Sequence, residues 1–380
     1  QLAKLKPGKK IPHLPEQSLT KLREQAAMQL LGRETGRLHH RLIEHPAGEP
    51  RGFAQLPPPD AGDVYFDMEG DPLHGDDGLE YLFGIYYRDG NAGAFEFKPF
   101  WGHTRLEEKQ AFERFMDWLD QRRRKHPGLH VYHYAAYEDT ALKKLSSRHA
   151  TREALLDTFL RERRLVDLYK VVRESIRAST PSYSIKDIEK FYREAREGDV
   201  QTAGASIVYY ERYLETGDKS LLEKIERYNE DDVVSLQLLH EWLLRLRPSG
   251  MPWRKDDSAE GATGTAAGAP SPKLLAYLDE VERIRAPLLA GLPDEQADWT
   301  PVQHGRALMA DLLEFHRRNE KPQWWEMFAR TELSFDELLE SVDAIAGLTK
   351  VKGTVDEYEY PPQEIKFEAG ESAVWLGHPE

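Results

Sequence analysis

Three short runs of aromatic and β-branched residues follow one another in the first third of the chain: DVYFDMEG, EYLFGIYYRDG and GAFEFKPF. Glycine, aspartate and asparagine separate these runs, as they do in strands that are joined by tight turns. The pattern therefore predicts three consecutive strands that form a meander beginning at Asp63.

The chain before the meander is more polar. Residues 15–45 predict a helix, and HPAGEPRG and LPPPDAGD after it have the composition of turns and linkers. We therefore expect an N-terminal helical and linker segment over residues 1–60. The apolar positions of the predicted helix are Leu22, Ala26, Leu30, Leu31 and Leu38.

Helices and further strands follow the meander. A helix is predicted near Thr104 to Lys125, with Thr104 as the N-cap and Glu107 as its capping-box partner. LHVYHY predicts a fourth strand that leads into a helix from about Ala135, and RLVDLY predicts a fifth strand within a mostly helical stretch. This order predicts an α/β domain, residues 61–248, with a mixed central sheet of about five strands flanked by helices.

The composition changes in SGMPWRKDDSAEGATGTAAGAPSP, residues 249–272, which is rich in glycine, alanine, serine and proline and predicts a flexible linker. Helical patterns resume in KLLAYLDEVERI, GRALMADLLEFHRR and PQWWEMFAR. Strand-like pieces follow around Lys350–Tyr358 and Gln363–Glu368. We therefore expect residues 273–380 to form a smaller, mainly helical region with a β-rich tail.

Composition narrows the class of protein. Charged residues make up 31% and hydrophobic residues 40% of the 380 residues, and no apolar run is long enough for a membrane span, so we expect a soluble globular protein without a membrane partner. The absence of cysteine excludes disulfides, thiolate zinc sites and a cysteine nucleophile, and it fits the reducing cytoplasm. The chain begins with Gln1 in place of methionine, so we expect a piece of a longer protein.

The formal net charge is −14, which disfavours a protein that coats DNA through a basic face. Metal ions can offset carboxylates locally, so an acidic chain can still act on nucleic acid. The arrangement of the acidic residues therefore decides which chemistry the chain offers.

Two acids interrupt the first strand of the meander, VYFDMEGDP. Asp67 and Glu69 are two positions apart, so their side chains lie on the same face of the strand. Two bare carboxylates repel each other, and burial increases the cost, whereas a divalent cation such as Mg²⁺ removes it. The alternative is an exposed edge strand with a solvated acidic face, because Asp-X-Glu is a common tripeptide.

A second acidic position follows the fourth strand in YHYAAYEDTALKKL. Glu138 and Asp139 both fall in the first turn of the predicted helix, where the helix dipole favours anions. Helical spacing places Glu138 on the apolar face with Leu142 and places Asp139 on the polar face with Lys143. We therefore expect Glu138 to point inward and Asp139 to be an ordinary exposed residue.

A third acidic position lies in LLEKIERYNEDDVVSLQLLHEWL. Asp232 falls in the middle of the apolar stripe of this predicted helix, where a carboxylate is costly unless it is paired, hydrogen-bonded or bound to a metal. Tyr228 precedes it by one turn on the same face. The alternative is that Asp232 pairs with an arginine or lysine. The apolar positions of the stripe are Leu221, Ile225, Tyr228, Leu236, Leu239 and Leu243.

Together these positions predict a cluster of four carboxylates, which is the kind of site that holds two metal ions about 3.5–4 Å apart and hydrolyses phosphodiesters. The cluster consists of Asp67, Glu69, Glu138 and Asp232, accompanied by Tyr228.

These motifs resemble the DnaQ-like 3′–5′ exonucleases of the ribonuclease-H-like fold, in the DEDDy subclass. Tyr228-Asn-Glu-Asp-Asp232 matches the third motif of that subclass, and Arg227 stands where the histidine subclass has histidine. FDMEGDP, HYAAYE, PSYSIKDIE and YNEDDV are similar to the ribonuclease-H-like domain of bacterial RecB-like nuclease–helicase fusions over about residues 15–248. KPQWWEMFARTEL and IAGL are similar to the stretch that leads into their superfamily 1 helicase.

The resemblance implies an activity and a set of partners. It implies hydrolysis of single-stranded DNA or RNA in the 3′–5′ direction with two Mg²⁺ or Mn²⁺ ions, beside a fused upstream RecB-like nuclease and a downstream helicase. The sequence lacks a G-x-x-x-x-G-K-[ST] phosphate loop, so we expect no ATP hydrolysis by this piece.

The resemblance also assigns roles to residues. Asp67 would bridge the two ions, Glu69 and Asp232 would complete one site, and Glu138 would support the other. Tyr228 would orient the attacking water. The proofreading members of the family have aspartate where Glu138 stands, which places the second metal site in question.

Four residues are candidates for binding nucleic acid: Met68, Tyr134, Tyr137 and Lys186. The two tyrosines flank the second acidic position and are suited to stacking on bases, although core packing is an equal alternative for Tyr137. Lys186 is suited to a phosphate contact, although a single lysine on a helix is usually solvated.

Two other functions fit the same sequence. One is a catalytically weak or inactive scaffold module that binds nucleic acid, which Glu138 and the acidic surface suggest. The other is an endonuclease of the ribonuclease-H type, because the fold is shared.

Overall fold

The structure is a computed structural model of the chain, which divides into two compact units, Met28–Thr265 and Gln1–Ala27 with Ala266–Glu380. The predicted linker lies outside the described residues from 255 to 271, so the predicted division into four segments stays a prediction. The described residues are 2–5, 11, 16–46, 48–75, 77–90, 93–194, 203–254, 272–293, 299–331, 333, 335–352, 357–368 and 370–376.

The larger unit is built from short strands and longer helices. Its strands are β1 His40–Leu42, β2 Val64–Asp71, β3 Leu79–Arg88, β4 Phe95–Trp101, β5 Val131–His133, β6 Leu165–Asp167 and β7 Ile176–Ala178. Its helices are α2 Arg105–Lys125, α3 Tyr137–His149, α4 Glu153–Arg161, α5 Leu168–Ser175, α6 Ile185–Ile188, α7 Ala203–Thr216 and α8 Lys219–Leu246, and α1 Glu16–Thr35 spans the sequence boundary between the units.

Five strands form a mixed central sheet in the order β4-β3-β2-β5-β6. Strands β2, β3 and β4 pair antiparallel, as the predicted meander requires. Strand β5 lies parallel to both β2 and β6. The register of β2 against β3 shifts between Glu69 and Gly70, which marks a bulge near the end of the strand. The prediction of an α/β fold with a five-stranded mixed sheet is confirmed.

The central strand β2 is covered on both faces, since its side chains alternate between them. Phe66 points to one face and stacks on Phe115 of α2, with 4.5 Å between the ring centroids. Tyr65 points to the other face and belongs to a core cluster that includes Leu236 of α8. The two acids of the strand share the parity of Tyr65, so the fold directs them towards α8.

The predicted helix over residues 15–45 is too long. Helix α1 ends at Thr35, because Gly36 takes a left-handed φ of 64°, which ends a helix. The following residues form β1, which pairs antiparallel with β7. This pairing joins segments far apart in sequence, and the local pattern does not indicate it.

The helix after β5 begins later than predicted. Ala135 has a left-handed φ of 72°, and its backbone N–H donates to Asp167 Oδ1 at 2.8 Å, so the chain turns there and α3 starts at Tyr137. This turn places Glu138 in the first helical turn.

The predicted N-cap of α2 is present in a modified form. Thr104 Oγ1 accepts a hydrogen bond from the backbone N–H of Glu107 at 3.2 Å. The Glu107 carboxylate accepts from the backbone N–H of His103 at 2.7 Å, one residue before the expected partner.

The smaller unit contains helices and a two-stranded ribbon. The strand-like prediction for Gln363–Glu368 is wrong, because these residues pair with no strand. The Gln363 side chain instead accepts a hydrogen bond from the backbone N–H of Ala346 and donates one to its backbone oxygen, at 2.9 Å each. None of the described helices has the length and apolar character needed to cross a bilayer. The elements are α9 Pro272–Leu289, α10 Pro301–Leu312, α11 Phe315–Thr331, α12 Phe335–Glu340, β8 Thr349–Lys350 and β9 Tyr358–Glu359.

Candidate metal centre

Three of the predicted acids meet between β2 and α8. Asp67 and Glu69 come from β2 and Asp232 comes from α8, and one carboxylate oxygen of each lies within 4.8 Å of the others. Glu69 is 6% exposed and Asp232 is 8% exposed. Strand alternation and helical phase thus bring the half-buried Asp67 together with the buried Glu69 and Asp232 in one cluster.

Glu138 adjoins this cluster through Asp67. It lies in the first turn of α3, is buried, and is close enough to Asp67 to raise the pKa of that carboxyl through its charge and a side-chain hydrogen bond. Asp67 thus neighbours the other three acids.

The cluster concentrates negative charge, which the Lys186 ammonium offsets in part at Glu69. Burial raises the pKa of Asp67 well above its usual range, and the charges of Asp232, Glu138 and Glu69 raise it further. Burial also raises the pKa of Glu69 to about 8, although a hydrogen bond from Ser206 opposes the shift. A divalent cation relieves this repulsion, and the donors are the hard oxygen ligands that Mg²⁺ and Mn²⁺ prefer.

Glu138 also has a buried carboxylate oxygen close to the imidazole of His133. Its Oε2 atom is buried and accepts no hydrogen bond from the described residues, and it lies 3.5 Å from His133 Nδ1. Burial lowers the pKa of His133, but Glu138 and the charge of Asp167 outweigh that effect and raise it to about 9. Glu138 thus lies between Asp67 of the cluster and the imidazole of His133.

Asn229 fixes the orientation of Asp67, and the sequence analysis missed it. Asn229 is fully buried in α8, and its Nδ2 donates to Asp67 Oδ2 at 2.7 Å. The contact needs Gly84, which pairs with Asp67 in the neighbouring strand, because a Cβ at this position would lie 1.6 Å from Asn229 Oδ1. Helical spacing gave a signal, since Asn229 precedes Asp232 by three residues on the inner stripe.

Tyr228 and Lys186 form a pair at the edge of the cluster. Tyr228 is buried one turn before Asp232, and Lys186 Nζ lies 2.6 Å from its hydroxyl oxygen and 4.4 Å from its ring centroid. The charge of Lys186 also acts on Glu69, whose pKa it lowers. Lys186 therefore points into the structure towards the acids instead of being a solvated helix residue.

The structure separates the other candidates for nucleic-acid binding. Tyr137 is 49% exposed, and its hydroxyl donates to Glu80 Oε2 at 2.8 Å. Tyr134 is half-buried, and its hydroxyl donates to the backbone oxygen of Tyr183. Met68 is buried and shares the parity of Phe66, so its side chain lies on the face opposite the acids.

A second group of possible ligands lies beyond the end of β2, and the sequence analysis also missed it. Asp71, His74 and Glu211 each place a ligand atom within 4.8 Å of the others. A side-chain hydrogen bond with Asp71 raises the pKa of Glu211. Asp71 Oδ1 also accepts from the backbone N–H of Leu73 at 2.9 Å, so the group has a role in ordering the turn after β2.

Comparison with known proteins identifies the domain. Residues 64–244 match the family model of the RNase_H superfamily, a span that begins at β2, ends within α8 and contains the whole acidic cluster. The search of curated proteins and the search of solved structures each give no match. Together with the five-stranded mixed sheet, the match shows that residues 64–244 form an RNase H-like domain.

Proposed function

We propose that the RNase H-like domain of residues 64–244 is a metal-dependent nuclease that removes nucleotides from the 3′ end of single-stranded DNA or RNA. The observation that carries this proposal is the largely buried cluster of Asp67, Glu69 and Asp232 within that domain. Buried carboxylates that repel one another are stable when they hold cations, and such sites hydrolyse phosphodiesters.

The residues divide into two sets of ligands. Glu69 and Asp232 would hold one Mg²⁺ or Mn²⁺ ion together with Asp67, and Glu138 would hold the second ion with Asp67, which adjoins both sides. When bound, such ions lower the pKa of a coordinated water and stabilise the leaving oxygen. The longer side chain of Glu138 is compatible with this role, since it is buried in the first turn of α3 and reaches Asp67.

The residues around the acids support the proposed polarity of cleavage and the proposed single-stranded substrate. The spacing of Tyr228 and Asp232 supports the DEDDy type of exonuclease, with Tyr228 orienting the attacking water. Tyr137 presents an exposed ring at the edge of the site, and base stacking on such rings is how single-strand binders hold their ligands. Lys186 supplies positive charge beside the acids.

Replacement of one ligand tests the proposal. We expect Asp67→Ala to lower the rate of Mn²⁺-dependent degradation of a 5′-labelled single-stranded oligonucleotide by about a thousandfold. The reason is that a bound metal ion lowers the activation barrier of hydrolysis by several kcal/mol. Asp231→Ala is the matched control, since Asp231 is a neighbouring acid that pairs with Arg193 at 2.7 Å and lies outside the cluster. Full activity in the Asp67 variant would refute the site.

The same assay separates the two other functions. An endonuclease ignores a blocked 3′ end, whereas the proposed exonuclease stops at it and otherwise releases mononucleotides in order from that end. A scaffold module binds the oligonucleotide and leaves it intact at every Mn²⁺ concentration.

The likeness of the motifs supports a wider proposal about the complete protein. The domain would act in the cytoplasm beside an upstream RecB-like nuclease and a downstream superfamily 1 helicase. Sequencing the whole reading frame that encodes this chain tests it, because both neighbouring domains must appear in that frame.

A further inference from the structure

Lys186 is held in a fixed place by the loop that carries it. Ser184 caps the short helix α6, with its side chain accepting from the backbone N–H of Asp187. Asp187 Oδ2 in turn accepts from the Ser182 backbone N–H at 3.1 Å and from the Ser182 hydroxyl at 2.7 Å. The other Asp187 oxygen accepts from Lys190 at 2.6 Å. These bonds order the loop and aim Lys186 at Tyr228.

The chemistry of the pair sets the direction of its hydrogen bond. An ammonium group can only donate, so the Tyr228 hydroxyl oxygen is the acceptor for Lys186 at 2.6 Å. A hydroxyl that accepts from a cation becomes a poorer acceptor and a stronger donor, because hydrogen bonds in series polarise one another. The proton of Tyr228 is then the polar function that this hydroxyl offers to a reactant.

The position of the ring fits the same role. Lys186 Nζ lies 4.4 Å from the ring centroid of Tyr228, so the cation contacts the ring as well as the oxygen. Tyr228 is buried and shares the helix face of Asp232, one turn away. The two contacts hold the phenol in one orientation beside the carboxylate cluster.

We propose that Lys186 is a positioning residue, which acts through Tyr228 and fixes its hydroxyl as a hydrogen-bond donor to the oxygens of the reacting centre. This inference rests on the proposed nuclease function and gives Lys186 a role different from direct contact with a substrate phosphate. It predicts that Lys186 affects the chemical step and leaves the affinity for the oligonucleotide unchanged.

A double-mutant cycle tests the proposal. Single-turnover rates are measured in Mn²⁺ for wild type, Lys186→Met, Tyr228→Phe and the double variant, and oligonucleotide affinity is measured by fluorescence anisotropy in EDTA. We expect Lys186→Met to slow cleavage about 10- to 100-fold, the range for a hydrogen bond to a charged group. The double variant should be no slower than Tyr228→Phe, and Lys186→Arg should recover part of the rate.

Lys219→Met is the matched control, because this exposed lysine begins α8 more than two turns before Tyr228 and has no part in the loop that carries Lys186. It should keep the wild-type rate. Additive losses in the double variant, or a loss of affinity with an unchanged rate, would assign Lys186 to the phosphate and overturn the proposal. A wild-type protein that cleaves nothing at any Mn²⁺ concentration would instead overturn the nuclease function, and this inference with it.

Discussion

At the residue scale, Asp67 is the residue on which the proposed metal site depends. It neighbours Glu69, Asp232 and Glu138, and Asn229 holds one of its oxygens. Burial and these charges raise its pKa, so the free energy of ionising Asp67 depends on the neighbouring charged groups. Changes to its neighbours should therefore alter metal binding even when Asp67 itself is retained.

The close approach of Asn229 to Gly84 allows a first test of how Asp67 is positioned. We expect Gly84→Ala to displace Asn229, because the new Cβ would lie 1.6 Å from Asn229 Oδ1, and to lower both Mn²⁺ affinity and stability. Overpacking of this kind costs about 1–3 kcal/mol in the free energy of unfolding. Gly204→Ala is the control, since a Cβ there meets nothing within 4 Å. Unchanged Mn²⁺ binding in the Gly84 variant would show that Asn229 does not position Asp67.

The raised pKa of Glu69 predicts how stability depends on pH. Its pKa rises from an ordinary value of 4.5 to about 8 in the folded protein, so the folded state holds this proton more tightly than the unfolded state. Stability in EDTA should therefore fall as pH rises from about 4.5 to about 8, and Mn²⁺ should reverse the loss. Denaturant unfolding across this range measures it.

Glu69→Gln isolates the contribution of this one acid. The variant has no proton to lose, so in EDTA its stability should fall less steeply with pH than that of the wild type. It should also gain less from Mn²⁺, since one ligand is missing. A slope equal to that of the wild type would show that Glu69 is not the acid that titrates.

At the scale of elements, local periodicity in the sequence predicts which face of each strand or helix carries the acids. Period-two alternation placed Asp67 and Glu69 on one face of β2, and the helical period turned Tyr228 and Asp232 inward on α8. The contact between Asn229 and Gly84 joins two elements distant in sequence, and no local pattern encodes it. The pairing of β1 with β7 escaped prediction for the same reason.

The turn between β5 and α3 offers a test of how an element positions Glu138. Ala135 has a φ of 72°, which costs a residue with a Cβ about 1–2 kcal/mol. We expect Ala135→Gly to raise the free energy of unfolding by up to about 1 kcal/mol, since glycine removes the strain but adds chain entropy. Ala136→Gly, at a φ of −89°, should be destabilising, and a stabilised Ala136 variant would contradict this explanation.

At the scale of the whole molecule, the net charge of −14 and the acidic centre point to the same dependence on cations. The RNase H-like domain supplies a sheet whose central strand carries acids, and α8 closes over them with a third. Bound ions would stabilise the folded state by mass action as well as equip it for hydrolysis.

The most direct test of the central claim is anomalous X-ray diffraction from crystals soaked in Mn²⁺. We predict two peaks, one among Asp67, Glu69 and Asp232 and one between Asp67 and Glu138. The absence of any peak at these acids in millimolar Mn²⁺ would contradict it and would favour a domain that binds nucleic acid without cutting it.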